Sequence, residues 1–259
     1  MSVDWLQDLR ARADQAPAIA RDALCVAPAV VIGSIESAWA RRMVAAGLPI
    51  AAGSSGWCIA GAPLDAAFER IAQWLREQGP AAAWRNELLN VEDASGTRVG
   101  AIERAAVRPL GITTRAVHLV GWAEQGGMWV QQRAFDKATD PGLWDTLMGG
   151  LVAGDETIPE TLARETWEEA GLRIDELRGM TSTHQLTVRR PVDTGYMIEH
   201  IHVHEAMIPA HLTPVNQDGE VAAFACLSVA ELRERLRAGA FTLEAALIVA
   251  HALEVSKRG

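Results

Sequence analysis

Three glutamates on one predicted helix are the strongest candidates for chemistry in this chain. Glu165, Glu168 and Glu169 stand at positions i, i+3 and i+4. At about 100° per residue they share one helix face, next to a face that carries Leu162 and Ala170. Clustered carboxylates are the ligands that Mg²⁺ prefers, but an acidic cluster is also typical of a solvated helix surface. The spacing alone leaves both interpretations open.

The helix that carries these acids has a well-specified start and end. Thr157 and Glu160 have the spacing of a capping box, and Pro159 lies in the first turn, where its missing N–H does little harm. Gly171 follows at the position of a C-terminal cap. The sequence therefore predicts a helix over residues 158–170, with the acids on its second half.

The residues before and after the three glutamates form a longer pattern with them. The pattern is Gly150-x5-Glu156-x7-Arg164-Glu165-Thr166-x-Glu168-Glu169-x-Gly171-Leu172. It resembles the Nudix box, Gly-x5-Glu-x7-Arg-Glu-U-x-Glu-Glu-x-Gly-U, in which U is a bulky aliphatic residue. Every fixed letter is present. The one departure is Thr166, which stands where Ile, Leu or Val is usual, and it falls on the apolar face of the helix.

The resemblance implies a metal site on the acidic helix face. By this resemblance Glu165, Glu168 and Glu169 bind Mg²⁺, for which Mn²⁺ is a possible substitute. The carbonyl of Gly149, just before the box, would add a further oxygen ligand. The ions would neutralise a diphosphate and orient its anhydride bond for attack by water.

Residues beside the ligands have supporting roles in the same interpretation. Glu156 and Gly150 would surround the metal ligands, and Arg164 would hold the acids in place through ion pairs. The general base is either Glu165, within the box, or Glu220, in a distant loop. The sequence leaves this choice open.

Four residues outside the box are candidates for contact with the substrate. Arg133 and Lys137 precede the box and could reach substrate phosphates, although charges at a strand end are common without such a role. Trp144 and Trp129 could stack on an aromatic part of the substrate. Most of the nine tryptophans are nevertheless expected in the core.

The flanks of the box narrow the resemblance. They include His118-Leu-Val-Gly-Trp, Met128-Trp-Val-Gln-Gln-Arg, Lys137-x3-Pro-Gly-x-Trp-Asp and Asp218-Gly-Glu-Val. These runs resemble the Nudix subgroup related to fused thiamine pyrophosphokinases, whose members carry an extra N-terminal domain. The resemblance implies an α/β fold, a Nudix α/β/α sandwich with a mixed sheet over residues 113–259. A small α+β domain over residues 1–112 would precede it.

The hydrophobic pattern along the chain predicts a mixture of helices and strands. Predicted helices cover residues 38–46, 64–76, 231–237 and 243–255, and residues 6–24 read as one or two more. Predicted strands cover residues 26–32, 84–92, 97–102, 117–123, 128–133, 179–188 and 197–207.

Composition and charge exclude several functional classes. The chain is 49% hydrophobic and 22% charged, as in ordinary globular proteins. Its formal net charge of −9 argues against general nucleic-acid binding. Cys25, Cys58 and Cys226 are too scattered for a disulfide framework or a zinc site. With no signal sequence and no long apolar segment, we expect a cytoplasmic protein without a membrane partner. A homodimer is possible on symmetry statistics alone.

These observations predict a hydrolase that cleaves a phosphoanhydride bond in a small phosphorylated substrate. The diphosphate would be linked to a nucleoside or to a thiamine-like group. One alternative is a prenyl diphosphate isomerase, which needs a cysteine and a glutamate beside the isoprenoid; Cys226 is the one candidate, through the loop of Glu220. Another is a catalytically silent module that senses a nucleotide or cofactor. The complete set of acids argues against a silent module.

Overall fold

The computed structural model describes residues 3–26, 29–61 and 63–255. Within these ranges the helices are α1 (Val3–Ala13), α2 (Ser37–Ala45), α3 (Leu64–Gln78), α4 (Arg104–Val107), α5 (Ile158–Ala170), α6 (Val229–Arg237) and α7 (Leu243–Val255). The strands are β1 (Asp22–Val26), β2 (Val30–Ile35), β3 (Ile50–Gly53), β4 (Gly56–Ile59), β5 (Leu88–Glu92), β6 (Arg98–Glu103), β7 (Thr113–Ala123), β8 (Met128–Arg133), β9 (Trp144–Asp145), β10 (Met148–Leu151), β11 (Arg178–Val192), β12 (Gly195–Ile208) and β13 (Val221–Leu227). None of these helices is both long and apolar enough to cross a membrane.

A seven-stranded mixed sheet forms the centre of the C-terminal part. Its strand order is β11-β12-β7-β8-β13, with β10 paired to β7 and β9 paired to β8. The β12–β7 pair is parallel, whereas β11–β12, β7–β8 and β8–β13 are antiparallel. Because side chains alternate along a strand, Ala116 and Val120 of β7 enter one core with α7, while Val117 and Leu119 enter another with α5. The predicted α/β/α sandwich with a mixed sheet is confirmed.

The N-terminal part is a small α+β region with its own core. A four-stranded sheet of order β2-β1-β4-β3 and the hairpin β5–β6 accompany α2 and α3. Phe68 and Leu75 of α3 are fully buried in this core. Ile112, at the C-terminal end of the N-terminal part, is fully buried in it as well. Leu9 and Ala13 of α1, by contrast, are buried in the core beside α7. A domain boundary near residue 112 stays a prediction, and α1 packs with the C-terminal layers.

Several predicted elements differ from the structure. The helical prediction over residues 6–24 is wrong after Ala13, because Leu24 lies in β1 and is completely buried within the N-terminal sheet. The strand predicted over residues 26–32 is instead the end of β1 and the start of β2, with residues 27 and 28 outside the described residues. The strand predicted from residue 84 begins at Leu88, because Asn86 has a φ of 58° that interrupts extended backbone.

Candidate active site

The helix α5 has the start and end that its sequence predicts. Thr157 accepts a hydrogen bond from the backbone N–H of Glu160 at 3.4 Å, and Glu160 accepts one from the backbone N–H of Thr157 at 2.8 Å. Gly171 closes the helix in the left-handed conformation, with a φ of 62°. Thr166 is buried, and its hydroxyl donates to the carbonyl of Leu162 at 2.6 Å. The departure from the aliphatic pattern therefore leaves no unsatisfied polar atom in the core.

The three glutamates of α5 have different surroundings. Glu169 is only 3% exposed and accepts hydrogen bonds from Gln131 Nε2 at 2.8 Å and from the backbone N–H of Gly149 at 3.0 Å. Glu165, with 14% of its side chain exposed, lies against β10, where a Cβ atom on Gly150 would overlap its carboxylate. Glu168 has 42% of its side chain exposed. Two of the acids are thus directed inward and the third towards solvent.

Burial makes the two inner carboxylates reluctant to ionise. It raises the pKa of Glu165 to about 7, against the opposing effect of Arg164, and the pKa of Glu169 to about 8. The negative charge of Glu165 raises the pKa of Glu169 further. Like charges at this depth repel each other, so a cation placed between them would relieve the repulsion.

Arg164 links the acids of the box to one another. Its Nε lies 2.6 Å from Glu156 Oε1, and its Nη1 lies 2.9 Å from both Glu165 Oε1 and Glu168 Oε2. Glu156 also accepts a hydrogen bond from Thr161 at 2.8 Å. These contacts raise the pKa of Arg164, chiefly through its hydrogen bonds with Glu156, and keep the Glu156 carboxylate charged, with its pKa lowered.

In their present positions, the side chains around Glu165 and Glu169 supply only part of the ligand set that a magnesium ion needs. In the described part of the chain no three His, Cys, Asp or Glu side chains are grouped as a ready-made metal site. Glu165 and Glu169 supply two carboxylates, and the backbone carbonyl of Gly149 would be a third hard oxygen. Glu168 would have to turn away from Arg164 to join them. Magnesium keeps several waters and takes oxygens from a phosphorylated substrate, so a partial protein ligand set is what it requires.

A cleft of about 320 Å³ lies beside these acids. The predicted site residues that line it are Gly149, Gly150, Glu165, Glu169, Arg133, Lys137 and Glu220. Glu156, Arg164 and Glu168 are not part of its lining. The structure therefore brings together both candidate general bases and both candidate phosphate-binding cations.

The two cations predicted to bind phosphate, Arg133 and Lys137, already have acidic partners. Lys137 Nζ contacts Glu220 Oε2, and Arg133 Nη1 lies 3.6 Å from Asp145 Oδ2. Burial opposes ionisation of Glu220, but the hydrogen bond and charge of Lys137, with further help from Arg104 and Arg133, lower its pKa. Its cationic neighbours therefore favour the charged form of Glu220, whereas burial disfavours the charged form of Glu165.

The two tryptophans considered for substrate stacking lie elsewhere. Trp144 has its ring covered by the guanidinium of Arg235, with 4.2 Å from Cζ to the ring centroid. Trp129 packs against the core beside α5. Neither ring lines the cleft, so this geometry gives the proposed stacking role no support.

Several residues of the cleft were missed by the sequence reasoning. They are Arg104, Arg108, His118, Asp145, Arg190, Glu199 and Glu244. They come from segments far apart in the chain and form no motif. The available signal was weak: the alternation of Thr114, Ala116 and His118 along β7 places these three on one face of the sheet.

Comparisons with known proteins agree with this architecture. The family model described as the NUDIX domain matches residues 112–247. Nudix hydrolase 24, chloroplastic, from Arabidopsis thaliana is 27% identical over 190 residues, which are 71% of this chain and 51% of that protein. Isopentenyl-diphosphate Delta-isomerase from Streptomyces coelicolor is 32% identical over 149 residues, 57% of this chain and 74% of that protein. The crystal structure of DR0079 from Deinococcus radiodurans has a TM-score of 0.52 and 25% identity, covering 64% of this chain and 98% of that one. The chain spans about half the length of the plant relatives that it matches.

Proposed function

Because the chain belongs to the Nudix family, we propose that it is a hydrolase that uses Mg²⁺ to cleave a phosphoanhydride bond. The substrate is a diphosphate linked to another moiety. The observation that supports this most is the pair of buried carboxylates, Glu165 and Glu169, at the edge of a cleft that also contains Arg133 and Lys137. Buried like charges favour a divalent cation, and cations across the same cleft favour the phosphates that would share it.

Each of these residues has a distinct role in the proposal. Glu165, Glu169 and the Gly149 carbonyl would hold the ion, and Glu168 would be a further ligand if it turned away from Arg164. Bound Mg²⁺, or Mn²⁺ in its place, would neutralise negative charge on the diphosphate. Arg164 is held by Glu156. It would keep the side chains of Glu165 and Glu168 in position.

Substrate phosphates are placed by the opposite wall of the cleft. Arg133 and Lys137 donate to phosphate oxygens through charge-assisted hydrogen bonds. Lys137 then exchanges its contact with Glu220 for a contact with phosphate, and Arg133 keeps its position through the carbonyl of Thr139, 3.1 Å from its Nη2. Substrate binding would thus release Glu220 from Lys137 and change the contacts of the loop that carries Glu220.

We assign the general base to Glu165. A water attacks phosphorus, its proton passes to a Glu165 oxygen, and the bridging P–O bond of the anhydride breaks to release the second phosphate group. Glu165 is buried beside Gly150, and its Oε1 lies 2.9 Å from Arg164 Nη1, which leaves Oε2 to accept the proton. Glu220 is half exposed, and its cationic neighbours, Arg104 and Arg133 as well as Lys137, lower its pKa, so it is the weaker candidate for accepting the proton.

The isomerase alternative has support from relatives but not from the cleft. Proteins named isopentenyl-diphosphate Delta-isomerase match more than half of the chain. The mechanism considered for that class needs a cysteine at the substrate. Cys25 lies in β1 and Cys58 in β4, and Cys226 donates to the Gly126 carbonyl at 3.6 Å. None of these three residues lines the cleft, which favours hydrolysis over isomerisation.

Finer features of the proposal rest on the sequence resemblance. Resemblance to the subgroup related to thiamine pyrophosphokinases makes nucleoside diphosphates and thiamine diphosphate-like compounds the first substrates to examine. We also propose the cytoplasm as the compartment, in keeping with three free cysteines, although some relatives are chloroplast proteins. A homodimer is a further proposal that sedimentation would test.

Phosphate release from a panel of diphosphates tests the proposed function. The panel comprises nucleoside diphosphates, thiamine diphosphate and isopentenyl diphosphate, each with a terminal phosphate that cleavage would release, and each assayed with Mg²⁺, with Mn²⁺ and with a chelator. We expect release from at least one compound with either metal and none with the chelator. No release from any compound, or release that survives the chelator, would refute the proposal.

A further inference from the structure

His118 of β7 is a buried residue of the cleft that the proposed reaction does not use. It is only 7% exposed, and it is the register partner of Gly149 in β10. A Cβ atom on Gly149 would come within 2.5 Å of the Cε1 atom of the His118 ring. The glycine therefore leaves the space that the imidazole needs beside the proposed metal site.

The Nδ1 atom of His118 belongs to a buried chain of hydrogen bonds. It lies 2.8 Å from the hydroxyl oxygen of Thr146, and that hydroxyl donates to the carbonyl of Met148 at 2.8 Å. A hydroxyl has one proton to donate, so the Thr146 oxygen accepts from Nδ1. The Asp145 carboxylate, with Oδ1 at 3.6 Å from Nδ1, also favours a proton on this nitrogen. The surroundings therefore fix the ring as the tautomer that is protonated at Nδ1.

The other ring nitrogen, Nε2, is open to the cleft. Among the residues that the structure describes, none forms a hydrogen bond with His118 Nε2, and this atom is not enclosed by protein. Because His118 lines the cleft, the accessible nitrogen meets whatever the cleft binds. In a neutral ring protonated at Nδ1, the Nε2 atom carries a lone pair and acts as a hydrogen-bond acceptor.

The His118 ring and the acids of α5 lie on different faces of the central sheet. Side chains alternate along β7, and Val117 packs in the core beside α5, whereas Ala116 packs in the core beside α7. His118 shares the face of Ala116. The cleft borders both faces, since Ala116 and Glu165 both line it. Nε2 is therefore placed to meet a part of the substrate that extends past the acids.

We propose that His118 is a substrate-recognition residue whose Nε2 accepts a hydrogen bond from a hydroxyl or N–H group of the moiety attached to the diphosphate. Thr146 is the positioning residue that holds the ring in the required tautomer. This inference rests on the proposed function, since it assumes a diphosphate beside Gly149. A moiety that offers only acceptor atoms would cover Nε2 without pairing it, and an unpaired buried acceptor costs free energy.

Nitrogen-15 NMR of the labelled full chain tests the tautomer. At about pH 8, where an ordinary imidazole is neutral, correlations between ring nitrogens and ring protons identify the protonated nitrogen. We expect His118 to carry its proton on Nδ1 in the wild type and in Thr146→Ser, which keeps the hydroxyl. Thr146→Val removes the hydroxyl and should raise the fraction protonated at Nε2. A wild-type ring protonated at Nε2, or an unchanged ring in Thr146→Val, would contradict the inference.

Binding of non-hydrolysable esters tests the contact with substrate. The probes are methylenediphosphonate monoesters of short alkyl chains of increasing length that end in a hydroxyl, each compared with the ester that ends in a methyl ether. The ether keeps the oxygen acceptor and lacks the donor. Titration calorimetry with Mg²⁺ gives each Kd. We expect at least one hydroxyl ester to bind about three- to tenfold more tightly than its ether, as one hydrogen bond would supply.

Two histidine variants locate the preference for the hydroxyl. His118→Asn keeps an N–H near the Thr146 hydroxyl but has no atom in place of Nε2, so the preference should disappear. Its Kd for the ether esters should stay unchanged, which also shows that the variant is folded. His200→Asn is the matched control, because exposed His200 makes a similar contact from Nδ1 to Thr187 Oγ1, at 2.9 Å, away from the cleft. This control should keep the preference of the wild type.

The possible outcomes separate this inference from the proposed function. If the esters bind with Mg²⁺ but no hydroxyl ester binds more tightly than its ether, the inference is wrong and the hydrolase proposal stands. A preference that survives in His118→Asn, or that is lost equally in His200→Asn, also refutes the inference alone. If no ester binds with Mg²⁺, both proposals fail.

Discussion

The two ends of the cleft use buried charge in opposite ways. At one end Glu165 and Glu169 place like charges together, and burial raises the pKa of both. At the other end Arg108 pairs with Glu199, and Arg190 with Glu244. Unbalanced carboxylates favour a cation from outside the protein, whereas the paired charges at the other end are already balanced within the protein. This difference is why we propose the metal and phosphate site at the first end only.

The largest expected effect comes from Glu165→Gln, which removes the proposed base from the unbalanced end. We predict a fall in kcat of about a hundredfold to ten-thousandfold. Glu220→Gln, in the same cleft, should lower kcat by no more than about tenfold, because its half-exposed carboxylate lies among cations that lower its pKa and does not take the proton. Steady-state kinetics on the best substrate of the panel compares the two. A larger fall for Glu220→Gln would transfer the role of base to that loop.

Glu169→Gln separates metal binding from the rest of the acidic end. Ligand binding to the folded state raises stability, by about 2.7 kcal/mol at a hundred times Kd. Mg²⁺ should therefore raise the Tm of the wild-type protein and leave that of the variant nearly unchanged. Glu234→Gln, an exposed acid of α6, is the control and should respond as the wild type does. Equal shifts in all three proteins would place the metal elsewhere.

Lys137→Met examines the cation that faces the acids. Loss of a charge-assisted hydrogen bond to phosphate, about 1.5–3 kcal/mol, should raise KM by roughly ten- to hundredfold. The free energy of unfolding should change little, since a partly exposed ion pair contributes about 0–1 kcal/mol. Arg178→Met, which breaks the exposed pair with Glu124, should leave KM as it is. An unchanged KM for Lys137→Met would remove this residue from the phosphate site.

The smallest expected effect belongs to Thr166→Val, which restores the aliphatic residue usual in the box. Thr166 is buried and its hydroxyl is satisfied by the Leu162 carbonyl. The free energy of unfolding should therefore change by no more than about 1 kcal/mol. Chemical denaturation measures this change, and kcat should stay within about twofold. A large loss of activity would show that the core face of α5 influences the acids on its other side.

The sequence revealed the two ends of the cleft to very different degrees. The acidic end lies almost entirely within one contiguous pattern, so the sequence alone predicts its residues. The other end takes Arg108, Arg190, Glu199 and Glu244 from separate elements, and only the sheet order β11-β12-β7 brings the strands among these elements together. No spacing along the chain encodes such a meeting.

Helical spacing predicts which face of a helix a residue occupies, but not how deeply its side chain is buried. It placed Glu168 and Glu169 on the same side of α5, yet Glu169 is buried against Gly149 while Glu168 faces Arg164 and solvent. The difference depends on how α5 lies against β10. Short strands are hard to predict for a different reason. The strand β3, Ile-Ala-Ala-Gly over Ile50–Gly53, has too few large side chains to show the alternation of a strand.

Hydrolysis in oxygen-18-labelled water tests the central claim most directly. The wild-type protein, its preferred diphosphate and Mg²⁺ are incubated in labelled water, and the products are analysed by mass spectrometry. The proposal predicts one labelled oxygen in a phosphate product, and a rate of label incorporation about a hundredfold to a thousandfold lower in Glu169→Gln, the loss typical of a missing electrostatic stabiliser. Conversion of isopentenyl diphosphate to an isomer, with no released phosphate and no label, would contradict it.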